Sequence, residues 1–262
     1  MKFPMPALTR RGFTLIEISV VLVIIGLLVG AVLAGRDLIR AAELRGIISE
    51  VETYKTAVNT FNIKYNAIPG DMADARTIWG GKADCTDRTE FTSTCKGSND
   101  GRITASTSIP SWGNEIFLFW QHLANAGLIS GKFNGVEGTI SQFAGVPGTN
   151  SPGSKMTDAC WGVMNQNFSN GSDTSTFYID LGNFFAVGNP TISSWVGDNS
   201  ILTPREAYNI DNKIDDGMPG TGKFTMRRWA TCTTASSGTD FTANYNLTNT
   251  SIVCKPQFIK AF

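Results

Sequence analysis

The sequence predicts an α+β protein: one long N-terminal helix followed by a loop-rich domain of short strands and helices. Three observations carry this. Residues 13–35 are oily and hold a single charge, Glu17. From Leu44 to Tyr65 the apolar residues recur at alternating steps of three and four, the spacing of an amphipathic helix. Beyond Asp71 glycine, serine, threonine and asparagine become abundant and charges thin out, a composition suited to a folded domain of many turns.

The oily stretch comes first. Phe13 to Gly35 is about 23 residues, roughly 35 Å as a helix at about 1.5 Å per residue. That length crosses a hydrocarbon core of roughly 30 Å. A secretory signal peptide is an alternative, with Val32-Leu33-Ala34 as its cutting site, but its apolar core is normally about 7 to 15 residues. A plain signal anchor explains the length and leaves Glu17 without a reason. A carboxylate in hydrocarbon costs about 2.5 to 3.5 kcal/mol on insertion scales, so Glu17 predicts a cationic partner. Cations do not decide orientation: Lys2, Arg10 and Arg11 precede the span, and Arg36, Arg40 and Arg45 follow it.

Arg10-Arg11-Gly12-Phe13-Thr14-Leu15-Ile16-Glu17, with the basic leader before it, resembles the processing and methylation motif of type IV prepilins and pseudopilins. The resemblance implies cleavage after Gly12 by a prepilin peptidase, which also N-methylates Phe13, and removal of residues 1–12. It implies that Glu17 pairs with the Phe13 ammonium of a neighbouring subunit during filament assembly. The implied partners are other pilin or pseudopilin subunits and an inner-membrane assembly platform. The implied location is a bacterial inner membrane crossed once, with the N-terminus cytoplasmic and the head periplasmic, before entry into a periplasmic or surface filament. Surface pilus, secretion pseudopilus and DNA-uptake filament all remain open. The fold implied is a long helix packed on an antiparallel sheet.

The domain organisation expected on this basis is a cleaved leader at 1–12, an assembly helix at 13–35, an amphipathic spine at 36–66 and a head at 67–262. In the spine Leu44, Ile47, Ile48, Val51, Tyr54, Val58, Phe61 and Tyr65 form the dry side, and Glu43, Arg45, Glu50, Glu52, Lys55 and Lys64 lie between them. A coiled-coil stalk shares this periodicity, but a large head needs an apolar surface for its sheet to pack on. No proline falls between Phe13 and Pro69, which leaves Gly26, Gly30, Gly35 and Gly46 as the only weak points of a helix that ends at the turn Asn66–Gly70. Within the head, residues 115–128 read as a helix. Residues 177–181 and 184–187 read as two strands around a Gly182-Asn183 turn, and 224–229 as a third. Thr203-Pro204-Arg205-Glu206 reads as a capping box opening a helix to about Ile210.

Five cysteines, with no CxxC pair, point to disulfides outside the cytoplasm rather than to zinc. Sequence proximity favours Cys85 with Cys95 and Cys232 with Cys254; the latter resembles the disulfide-bounded C-terminal loop of type IV pilins. Cys160 is the odd thiol, packed beside Trp161 or paired between molecules. Asp211, Asp215 and Asp216 sit in a loop whose oxygens could wrap Ca²⁺, although Lys213 occupies a position where a ligand is wanted; a solvated turn is the alternative. The resemblance to pseudopilins adds to this, since major pseudopilins of type II secretion often hold calcium in a C-terminal loop. Ser98-Asn99-Asp100-Gly101 is a weaker case of the same kind.

The function classes narrow accordingly. Without the leader the net charge is about −3, which offers no general affinity for nucleic acid. The only histidine, His122, lies in an apolar helical pattern away from any nucleophile, so no enzyme is expected. The competing reading is a membrane-anchored adhesin or ligand-binding protein that uses aromatics among Trp112, Trp161, Trp195 and Trp229.

Overall fold

The computed structural model describes residues 13–105, 114–138, 143–190 and 199–262. The element order is α1 (Leu15–Tyr65), α2 (Ala75–Trp79), α3 (Glu115–Asn125), β1 (Cys160–Asn167), β2 (Asp180–Gly188), α4 (Pro204–Ile214), β3 (Phe224–Met226) and β4 (Pro256–Phe258). The chain divides into two units, Met1–Ala42 and Glu43–Phe262. It is an α+β protein, a long N-terminal helix followed by a small antiparallel sheet domain.

In the first unit the apolar side chains from Leu15 to Ile39 stand exposed. With no proline to remove a ladder hydrogen bond, α1 continues through Gly26, Gly30 and Gly35. It stops where Asn66 turns to φ 49°, the left-handed geometry that asparagine tolerates at a helix end.

The second unit is built on the remainder of α1. Ile47, Val51, Tyr54, Val58 and Phe61 are buried there, with Ala57 beside them. Each large apolar side chain fully buried contributes roughly 1.5–3 kcal/mol. Tyr54 is the pivot of the core: its ring meets Trp120 of α3 edge-on at 5.0 Å and Trp161 of β1 at 5.4 Å. Two of the acids expected on the wet side of the spine are instead bound by the head. Glu50 accepts from Ser154 Oγ at 2.7 Å, Lys155 N at 2.8 Å and Trp161 Nε1 at 3.0 Å, and Glu43 accepts from Thr157 Oγ1 at 2.6 Å. Periodicity separates dry from wet positions but does not reveal which wet positions a loop will cover.

The sheet runs β1-β2-β4-β3, antiparallel throughout. β1 is not foreshadowed by any alternating pattern in the sequence, because both of its faces are covered. Trp161 and Val163 lie opposite Val187 and Phe185, Gly162 and Met164 lie opposite Ala186 and Phe184, and all are buried or nearly so, which erases the alternation that marks a half-exposed strand. The two strands expected around Gly182-Asn183 are one strand, β2. Gly182 takes φ +60° at a register irregularity opposite Gln166 and Asn167, so the glycine serves a bulge rather than a hairpin turn.

α3 stops at Asn125, short of the expected Leu128. Gly127 is left-handed, and bonds from Gly127 N to Ala124 O and Leu128 N to Leu123 O close the end as a Schellman motif. α4 opens with the expected reciprocal box, Glu206 N to Thr203 Oγ1 at 3.2 Å and Thr203 N to Glu206 Oε2 at 2.8 Å, and runs one turn beyond Ile210. Disulfides join Cys85 to Cys95 and Cys232 to Cys254, with Cα separations of 5.9 and 5.1 Å. Cys160 is a buried thiol at the start of β1.

Candidate functional site: the N-terminal helix

The first turn of α1 is held by its own side chains. Thr14 donates to Glu17 Oε2 twice, from its backbone N–H at 2.7 Å and from Oγ1 at 2.8 Å, and Glu17 N donates back to Thr14 Oγ1 at 3.3 Å. This is a capping box with Thr14 at the cap and Glu17 three residues on, which satisfies two helix-end donors. The Thr-x-x-Glu spacing is legible in the sequence, although there the charge of Glu17 is the more conspicuous signal. Glu17 is therefore satisfied at its own helix start.

Phe13 stands 84% exposed immediately before the cap. Gly12 and the leader cations Lys2, Arg10 and Arg11 lie outside the described residues. α1 is long and apolar enough to cross a membrane, and none of its most apolar window is buried by the rest of the chain. Residues 8–33 match the prokaryotic N-terminal methylation motif.

Over these residues the chain is similar to type IV prepilins and pseudopilins. No curated protein and no solved structure gives a match. The match covers residues 8–33 and none of the head.

One carboxylate oxygen each from Asp211, Asp215 and Asp216 lie within 4.8 Å of one another. Asp211 lies within α4 rather than in the expected loop, and the chain just past the end of that helix brings Asp215 and Asp216 to it. Asp211 is buried and accepts from Tyr245 Oη at 2.7 Å and Gly217 N at 3.3 Å. Asp215 accepts from the backbone N–H groups of Lys223 and Phe224, and Asp216 from Met218 N at 2.9 Å and Thr221 Oγ1 at 2.5 Å. Burial, more than its hydrogen bonds can offset, pushes the Asp211 carboxyl up to about 7, and the charges of Asp216 and Asp215 add to the effect. The donor set is all oxygen and acidic, the kind hard divalent cations take.

His122 is fully buried. Gly70 N donates to its Nδ1 at 2.9 Å, which leaves Nε2–H to face Thr94 Oγ1 at 3.0 Å; Thr94 in turn donates to Gln121 Oε1 at 2.8 Å. Burial pushes the imidazole down to about 3, so it is a neutral structural group at neutral pH.

Two buried carboxylates carry no signal in the sequence. Asp71 accepts from Ser98 Oγ, Asp100 N and Gly101 N, and Glu115 from Ser98 N, Thr104 N and Thr104 Oγ1. The Ser98–Gly101 segment is thus folded around these two acids, and no periodicity marks either residue. Of the tryptophans considered for a binding face, Trp161 is wholly buried, Trp229 is half-buried, and Trp112 and Trp195 lie outside the described residues. A groove of about 510 Å³ runs between Ser49–Tyr54 on α1 and the Leu128–Phe133 segment.

Proposed function

We propose that this chain is a structural subunit of a type IV pilus or type II secretion-like filament, assembled from the inner membrane after its leader is removed. The supporting observation is the pairing of a methylation motif with the apolar part of α1 from Leu15 to Ile39, which stands exposed among the described residues. In this reading cleavage after Gly12 frees the Phe13 ammonium. Glu17, one turn into the apolar helix, then accepts that ammonium from a neighbour, so two charges enter an apolar core as a pair. The head follows its helix into the filament on the far side of the membrane. The partners are like subunits, a prepilin peptidase that also methylates, and a membrane assembly platform.

The test is the mature N-terminus. Mass spectrometry of chain expressed with prepilin peptidase is expected to find N-methylated Phe13, and without it the intact leader. Glu17→Ala is expected to be processed and inserted like the parent but to yield no filaments. An indifferent Glu17→Ala would favour the competing reading, a membrane-anchored adhesin or ligand-binding protein whose helix is only a tether.

A second proposal concerns the head: Asp211, Asp215 and Asp216 hold a Ca²⁺ ion. Support comes from their convergent oxygens. A cation held by the native loop and not by the unfolded chain raises stability by mass action. Chelator is expected to lower the melting temperature and added Ca²⁺ to restore it; a melting curve indifferent to both removes the ion from the account.

A further inference from the structure

The groove beside α1 continues along the helix. Its 510 Å³ part shares Ser49, Thr53 and Leu128 with an open depression of about 470 Å³ that reaches Thr60, so the two form one trough. Ser49, Thr53, Thr56 and Thr60 fall at steps of four, three and four, and one helix face presents a hydroxyl at about every turn over roughly 16 Å, at about 1.5 Å per residue. Three of these hydroxyls have given their protons to the helix: Thr53 Oγ1 donates to Ser49 O, Thr56 Oγ1 to Glu52 O and Thr60 Oγ1 to Thr56 O, each at 2.8 Å. Towards a ligand their oxygens only accept. Donors stand beside them. Tyr54 is 8% exposed and lines the groove, and its hydroxyl has no hydrogen-bond partner among the described residues. A buried hydroxyl left unpaired costs free energy that a ligand oxygen relieves. Lys155 lines the same part, exposed and without an ion pair among the described residues. The nearby acids are spent: Glu50 accepts from Ser154, Lys155 N and Trp161, and Glu52 pairs with Lys55 at 3.0 Å.

We propose that this trough binds a neutral oligosaccharide laid along α1, its hydroxyls donating to Thr53, Thr56 and Thr60 and accepting from Tyr54 and Lys155. A ligand here must both donate and accept, which hydroxyl groups do. An anion has nothing to give the row of acceptors, and an apolar helix leaves them unpaired. The row repeats once per turn, roughly 5.4 Å, close to the length of one sugar ring in a chain. Same-side groups of an extended peptide recur about every 7 Å and fall out of step with it. The threonine methyls, Leu128 and Pro152 offer apolar contact to the ring C–H groups. The site lies wholly within the second unit and stands apart from the filament reading.

Saturation-transfer NMR tests this on the full-length chain in a detergent without a sugar headgroup, with maltotetraose, cellotetraose and N-acetylated chitotetraose as probes. At least one is expected to bind, with an affinity unchanged from low to high salt because the ligand is neutral. Tyr54→Phe keeps the ring against Trp120 and Trp161, and T53V/T56V keeps the side-chain shape; each is expected to weaken binding about tenfold, the loss of one or two hydrogen bonds. Ser49→Trp, at an exposed position shared by both parts of the trough, is expected to abolish binding by filling it. Binding of none of the three probes overturns the proposal, as does binding undiminished in any of these variants. Equal binding of a neutral glycine-serine tetrapeptide also overturns it, and marks a polypeptide groove instead.

Discussion

Glu17 and His122 are two ionisable residues placed in apolar surroundings, and they resolve the conflict differently. Glu17 keeps its charge available and borrows a threonine to hold it. His122 gives up its charge: with its folded pKa near 3 and an unfolded value near 6.5, the unfolded chain binds the extra proton between those limits. Its contribution to stability is therefore intact above about pH 6.5 and is lost as pH falls towards 3, at up to about 1.4 kcal/mol per pH unit. Urea midpoints of the full chain in detergent between pH 4 and 7 are expected to fall on acidification, and to fall less steeply in His122→Gln. Asp211 acts with the opposite sign. Its raised carboxyl favours the folded state below about 3.8, and that advantage is lost as pH rises through about 7. Asp211→Asn is therefore expected to make the acid-side decline steeper.

Among the elements, β2 shows how one residue sets a strand's path. Gly182 at φ +60° sits at the irregularity in the β1–β2 register, and a Cβ built there meets nothing nearer than Lys260 Cγ at 3.4 Å. The obstacle to a side chain is therefore the backbone conformation and not space. Gly182→Ala is expected to cost about 1–2 kcal/mol, the penalty of a left-handed non-glycine residue, read as a lower urea midpoint with an unchanged slope. α1 shows the converse. Three glycines in its apolar part meet no neighbour within 4 Å, and the helix passes through them because nothing nearby offers an alternative to helical hydrogen bonds.

At the scale of the whole molecule, two solvents are written into one chain. The first unit exposes what a soluble domain hides, and the second buries Trp120, Trp161 and a ring of phenylalanines around Tyr54. The expectation for the whole chain is accordingly specific: it stays in carbonate-washed membranes until assembly, and Glu17→Ala stays there without leaving for a filament. The large head adds loops tied by the two disulfides, each worth roughly 3 kcal/mol in the chain-entropy model.

Much of this is legible in the amino-acid sequence. Apolar length and period announce α1 and its buried stripe, the Thr203 box announces α4, and the residues around Gly12, Phe13 and Glu17 announce the methylation motif matched at 8–33, because each is a local pattern. What only tertiary structure decides is non-local. β1 carries no alternation because both its faces are covered, Gly182 marks a bulge only once β1 lies beside it, and Glu43, Glu50, Asp71 and Glu115 look like surface acids until the segments they bind arrive from elsewhere along the chain. Short-range periodicity records which side of an element is apolar; which loop then covers its polar side depends on packing between residues distant in sequence, and that information exists only in three dimensions.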